Sequence, residues 1–131
     1  MFPKETKFLV VDDMKTVRKL LSMALKENGF SNISEASNGV EAWNLLNSEG
    51  NFEVIISDWN MPEMTGLDLL KKVRETPNFA KLPFIMLTAE SESQQVLAAA
   101  QAKVTNYVVK PFTTAQILEK LAAAYNKAKA A

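Results

Sequence analysis

Five short apolar or alternating runs, each followed by an amphipathic stretch, restrict the fold of this chain more than any single motif does. Thr6 to Val11 reads as a strand buried on both faces. Ser31 to Ala36 is polar and alternating, the pattern of a half-exposed edge strand. Phe52 to Asp58 reads as a central buried strand, with Leu82 to Leu87 and Val104 to Val109 as the fourth and fifth. Between them apolar residues fall at helical spacing: Val17, Leu20, Leu21, Ala24 and Leu25, then Val40, Trp43, Leu45 and Leu46, then Leu67, Leu70 and Val73. An alanine-rich helix from Ser91 to Ala102 follows, and a last one from Phe112 to Ala130 carries Ile117, Leu118, Leu121 and Tyr125 on one side. Such strict alternation predicts an α/β fold: a five-stranded parallel sheet with helices on both faces.

The punctuation agrees. Asn28-Gly29 stops the first helix, with Gly29 suited to a left-handed C-terminal position. Asn38-Gly39 turns the chain before the second, Pro62 and Gly66 break it before the third, and Thr76-Pro77 ends the third. No linker, repeat or low-complexity segment divides the 131 residues, so one domain spanning residues 1–131 is expected. The tail from Lys127 to Ala131 is expected to fray.

Fifteen basic and fifteen acidic residues cancel. That balance gives no electrostatic footprint for nucleic acid and no polybasic segment for a membrane surface. There is no cysteine and no histidine. Disulfides, thiolate or imidazole zinc sites, histidine-based triads and a self-supplied phosphohistidine are therefore excluded within the chain. The N-terminal residues are charged and lack a long apolar stretch, so neither signal peptide nor membrane span is expected, and the cytoplasm is the expected location.

Ligands in parallel α/β sheets bind at the carboxyl ends of strands. Four runs here end in polar groups: Phe8-Leu9-Val10-Val11 in Asp12-Asp13, Val54-Ile55-Ile56-Ser57 in Asp58, Phe84-Ile85-Met86-Leu87 in Thr88, and Tyr107-Val108-Val109 in Lys110. Taken singly, Asp13 and Thr88 suit helix N-caps and Lys110 suits a surface charge. Taken together they predict one site. Three carboxylates close together repel one another unless a cation neutralises them, and Mg2+ is a hard ion that carboxylates bind. Asp58 suits an acyl-phosphate nucleophile, with Lys110 neutralising one phosphoryl oxygen and the Thr88 hydroxyl bonding another.

Asp12-Asp13, Asp58, Thr88 and Lys110-Pro111 resemble the phosphoacceptor signature of bacterial response-regulator receiver domains, over essentially the whole chain. Ser57-Asp58-Trp59-Asn60-Met61-Pro62, Thr88-Ala89-Glu90, and Ala98 to Ala102 leading to Tyr107-Val108-Val109-Lys110-Pro111-Phe112 resemble the chemotaxis type within that family. The resemblance implies a flavodoxin-like (βα)5 fold with strand order 2-1-3-4-5. It also implies that Asp58 accepts a phosphoryl group from a chemotaxis-type histidine kinase, and that the switched form binds the flagellar motor switch protein. Asp13, Asp58 and the Asn60 backbone carbonyl would ligate Mg2+, with Asp12 acting through water. Thr88 and Tyr107 would be a switch pair, and Lys110–Pro111 a cis peptide. The expected output face comprises Glu90, Ala100, Lys103, Tyr107, Val109 and Lys120. A monomer served by a dedicated phosphatase is expected, catalysing only its own phosphorylation and dephosphorylation.

Departures from the family pattern bear on the partner more than on the chemistry. Lys103 stands where the family usually has glycine, Glu92 and Ser93 replace common basic residues, and Asn38 and Thr65 replace frequent aspartates outside the site. Other uses of the same residues are a phosphorelay intermediate, a phosphate sink, or a haloacid-dehalogenase-type phosphatase. The last wants Asp-x-Asp after its first strand, where this chain has Asp12-Asp13-Met14-Lys15, and a cap domain. A flavodoxin-like cofactor binder would need a Ser/Thr/Gly-rich phosphate loop after the first strand, which is absent.

Overall fold

Local signals in the sequence account for most element boundaries in the computed structural model, which describes residues 1–89 and 93–130. In order these are β1 (Phe8–Val11), α1 (Lys15–Glu27), β2 (Ile33–Ala36), α2 (Gly39–Ser48), β3 (Val54–Asp58), α3 (Gly66–Glu75), β4 (Phe84–Thr88), α4 (Ser93–Gln101), β5 (Asn106–Val109) and α5 (Thr114–Ala130). Helix α2 starts where Asn38 Oδ1 accepts a hydrogen bond from Glu41 N at 2.8 Å. Helix α3 starts with a reciprocal capping box: Asp68 N donates to Thr65 Oγ1 and Thr65 N to Asp68 Oδ2. Asn38 and Thr65, the two positions set aside as outside the site, are thus helix caps. Helix α5 runs on to Ala130, past the point where fraying was expected. Its alanine- and lysine-rich end has high helix propensity.

The sheet is parallel throughout, in the order β2-β1-β3-β4-β5, a flavodoxin-like arrangement. Period-two alternation splits its side chains between two cores. Phe8 and Val10, Val54 and Ile56, Ile85 and Leu87, and Val108 face Leu21 and Leu25 of α1 and Ile117, Leu121 and Ala124 of α5. Leu9 and Val11, Ile55, and Phe84 and Met86 face Ala42 and Leu46 of α2 and Leu69, Leu70 and Val73 of α3. Burial on both faces is why β1, β3 and β4 read as continuous apolar runs, whereas the edge strand β2 is only partly buried and mixes polar with apolar residues. The register sets Val11 opposite Ser57, Asp58 opposite Leu87, and Thr88 opposite Val109. Asp12, Asp58, Thr88 and Lys110 therefore gather along one edge.

Two helices end in the same way with different residues. After α1, Gly29 N donates to Lys26 O and Phe30 N to Leu25 O, with Gly29 at φ +90°. After α4, Lys103 N donates to Ala100 O and Val104 N to Ala99 O, with Lys103 at φ +65°. Both are Schellman motifs, which need a left-handed residue at the first position past the cap. Lacking a glycine, the turn before β5 keeps the usual geometry and places a lysine in it. For a residue with a Cβ this conformation costs about 1 kcal/mol. The Lys103→Gly protein is expected to be more stable by about 0.5–1 kcal/mol, measured by urea unfolding with an unchanged m-value. A loss of stability would mean that the Lys103 side chain supports the turn.

Candidate functional site

Asp12 is fully buried and Asp58 is 6% exposed, whereas Asp13 faces solvent. Met14 N donates to Asp12 Oδ1 and Trp59 N to Asp58 Oδ1, both at 2.9 Å, so each carboxylate is oriented by the backbone just after it. Lys110 Nζ reaches across from the end of β5 and lies 3.0 Å from Asp12 Oδ2 and 3.0 Å from Asp58 Oδ1. The Lys110–Pro111 peptide is cis. Asp12, Asp13 and Asp58 each offer a carboxylate oxygen within 4.8 Å of the others. Asp13 is not a helix cap: Met14 holds that position in α1, without a side-chain capping bond. Asn60 lies on the exposed loop two residues beyond Asp58.

One ammonium thus serves two buried carboxylates. Burial raises the Asp58 carboxyl above its ordinary value of 3.8; the Lys110 hydrogen bond opposes this and the Asp12 charge reinforces it. Burial pulls Lys110 down, but its bonds to Asp12 and Asp58 outweigh that and hold it above 10.5. The two directions agree, because Lys110 gains from two carboxylates while Asp58 shares its one cation with Asp12. Three carboxylates against one ammonium leave two net negative charges. An all-oxygen donor set with that deficit fits a hard divalent cation such as Mg2+.

The family model described as "Response regulator receiver domain" matches residues 8–122. The chain belongs to the response regulator receiver family. Chemotaxis protein CheY1 of Helicobacter pylori is 48% identical over 115 residues, 88% of this chain and 93% of that protein. Chemotaxis protein CheY-3 of Vibrio cholerae is 45% identical over 118 residues, 90% of each. Among solved structures, the chemotaxis response regulator CheY4 of Vibrio cholerae superposes with a TM-score of 0.85 at 33% identity, covering 92% of this chain and 98% of that one. A putative response regulator from Chloroflexus aurantiacus gives 0.87 at 28% identity, covering 94% and 99%. The receiver is of the type found in chemotaxis response regulators, which are signalling proteins and not classical enzymes. No helix among the described residues is long and apolar enough to cross a membrane.

At the next strand of the receiver, Thr88 is buried and its hydroxyl donates to Gln95 Oε1 on α4 at 2.9 Å. Thr88 and Tyr107 line one small apolar cavity with Trp59, Met86, Gln95, Val96 and Ala99, with room of about 10 Å³. That suffices for one water at most. Tyr107 is half-buried, and Lys120 Nζ lies 5.5 Å from its ring centroid. Ala100 and Lys103 are exposed, Val109 and Lys120 half-exposed, and Glu90 and Glu92 lie outside the described residues. Sequence reasoning missed Gln95; its place seven residues past Thr88, in the first turn of α4, was the available signal. It also read Gly66 only as a chain breaker. A Cβ at Gly66 would collide with the Asp58 carbonyl oxygen and the Met86 sulfur, so α3 can abut the end of β3 only through a glycine.

Two outcomes follow from the charge deficit. Asp58's raised carboxyl means that the folded receiver holds a proton more tightly than the unfolded chain. Its contribution to stability is full below 3.8 and is lost as pH rises through the folded value. In chelator, the Asp58→Asn protein is therefore expected to gain in melting temperature over wild type as pH rises above 3.8. A gap that stays constant over that rise would remove the deficit. Mg2+ at about 100 times its dissociation constant should stabilise wild type by about 2.7 kcal/mol. Trp59, whose amide bonds Asp58, should report the same titration by fluorescence in a Trp43→Phe background, and Asp13→Ala should weaken it about tenfold or more. An unchanged titration would leave Asp13 out of the metal site.

Proposed function

We propose that this receiver is a chemotaxis switch in the cytoplasm, phosphorylated at Asp58 by a histidine kinase and read by a flagellar motor switch protein. The observation that carries the proposal is the Lys110 ammonium at 3.0 Å from both Asp12 and Asp58, beside a third carboxylate, at the carboxyl edge of the sheet. A carboxylate oxygen of Asp58 attacks phosphorus, the O–P bond forms as the N–P bond to the donor imidazole breaks, and the leaving nitrogen takes a proton. Lys110 gives up a carboxylate bond to meet a phosphoryl oxygen, and Thr88 turns its hydroxyl from Gln95 to another. Asp12, Asp13, Asp58 and the Asn60 carbonyl would hold Mg2+, which when bound supplies positive charge to the transferring group. Hydrolysis of the acyl phosphate, unaided or with a dedicated phosphatase, resets the switch.

The rim supports a macromolecular donor over a small phosphoester. Met14 and Leu20 expose more than half their surface beside an apolar hollow lined by Val17, Leu20, Lys110, Pro111 and Phe112. The CheY relatives favour a chemotaxis role over a general phosphorelay, since each is called a chemotaxis protein. Movement of Thr88 toward the phosphoryl group would open the small cavity for the Tyr107 ring and change the face formed by α4, β5 and α5. Such coupling amounts to about 1–3 kcal/mol, or roughly 5–150-fold in partner affinity.

Incubation with Mg2+ and acetyl phosphate is expected to add one phosphoryl mass per chain, seen by intact-mass spectrometry. The Asp58→Asn protein should gain none, and Thr88→Ala should label about tenfold more slowly, the effect of one charge-assisted hydrogen bond. Equal labelling of the Asp58→Asn protein removes Asp58 from the role, and steady turnover of the small phosphoester would favour a phosphatase.

A further inference from the structure

The end of the sheet opposite Asp58 carries a second charged feature that phosphorylation chemistry does not use. A trough of about 870 Å³ runs between the C-terminal ends of α3 and α4. It adjoins a second hollow of about 400 Å³ under the starts of β4 and β5, and the two share Lys81 and Lys103. Lys71, Arg74, Lys81, Lys103 and Lys127 line the joined surface against Glu75 as the one acid. In a chain whose charges balance overall, that is a local excess of four positive charges. None of the five cations takes part in an ion pair among the described residues.

The walls are held in place. Arg74 Nε donates to Lys103 O at 2.9 Å, and Nη1 to Leu82 O at 2.6 Å and to Ala80 O at 3.3 Å. Nη2 donates to Thr105 Oγ1 at 3.3 Å. One guanidinium thereby ties α3 to the loop before β4 and to the turn before β5. Lys103 adds its charge from a left-handed backbone position that glycine would occupy without strain. A cation at a helix C-terminus also suits the macrodipole, which accounts for Lys103 and for Lys127 in the last turn of α5 but not for Lys81. Strain retained at an exposed cation is a pointer to function.

We infer that this trough is a docking site for an acidic peptide segment of a partner protein, separate from the phosphoacceptor end. Cations spread over two adjoining hollows suit a chain carrying several acidic groups better than one compact anion. The methyl groups of Ala80, Ala98 and Ala102 offer apolar contact between the cations. The lining has no aromatic ring on which a nucleic-acid base could stack. Strand β4 separates the trough from Thr88 by about 15 Å, so occupancy leaves the acceptor open to its kinase. The segment acts as a tether that raises the local concentration of the receiver at its partner.

The test is a titration of the full chain with a decapeptide of alternating glutamate and alanine, followed by amide chemical shifts. Expected are shifts confined to residues around Lys71, Lys81 and Lys103, weakening with added salt. Lys81→Gln and Lys103→Gly should each weaken binding about threefold or more, while thermal melts show both proteins folded. The Lys103→Gly protein is the sharper probe, since it loses the charge while its turn is relieved. No saturable shifts, shifts elsewhere, affinities untouched by both substitutions, or equal binding of tripolyphosphate would each overturn the inference. Loss of Asp58 labelling would not bear on it, so it stands or falls apart from the proposed function.

Discussion

A single lysine ammonium shared between two buried carboxylates is the interaction on which the carboxyl edge of the sheet depends. Lys110 comes from the last strand, Asp12 from the first and Asp58 from the third, and only the parallel register brings their ends together. The arrangement is under-neutralised. Removing either carboxylate's partner inside an apolar sheet would cost several kcal/mol, so the lysine is a structural group as much as a chemical one. The same deficit suits the site to a hard divalent cation. One imbalance of charge bears on both the fold and the donor set.

Much of this was legible in the sequence because three strands are buried on both faces. Phe8-Leu9-Val10-Val11, Val54-Ile55-Ile56 and Phe84-Ile85-Met86-Leu87 have nowhere to go but the middle of a parallel sheet. The abrupt change to Asp12, Asp58 and Thr88 then marks the edge. Strand order came from the family resemblance, since alternation alone does not say which strand lies beside which. What stayed hidden depended on side-chain reach across elements. Nothing local in Gln95 shows that its amide meets the Thr88 hydroxyl, or in Arg74 that its guanidinium collects three carbonyls from two loops. The asymmetry between Asp12 and Asp13 was likewise invisible, because adjacent residues at a strand end differ in burial through the pleat.

Helix α4 connects the two ends of the molecule. Its first turn holds Gln95 against Thr88, its middle sets Val96 and Ala99 against the cavity shared with Tyr107, and its last residues lead into the strained Lys103 turn. Small residues make this helix the lightest of the layers over the sheet. Ala99 is fully packed, while Leu97 stands 59% exposed. An element with few large anchors shifts more readily than α3, which plants Leu69, Leu70 and Val73 in the core.

Gly66 gives that difference a direction. With α3 pressed against the Asp58 carbonyl through a position that admits no side chain, the main chain beneath that carboxylate is backed closely. In front of it stand Thr88, Gln95 and the thinly anchored α4. The fold thus resembles a one-sided bearing, with a stiff backing on α3 and a lighter facing on α4.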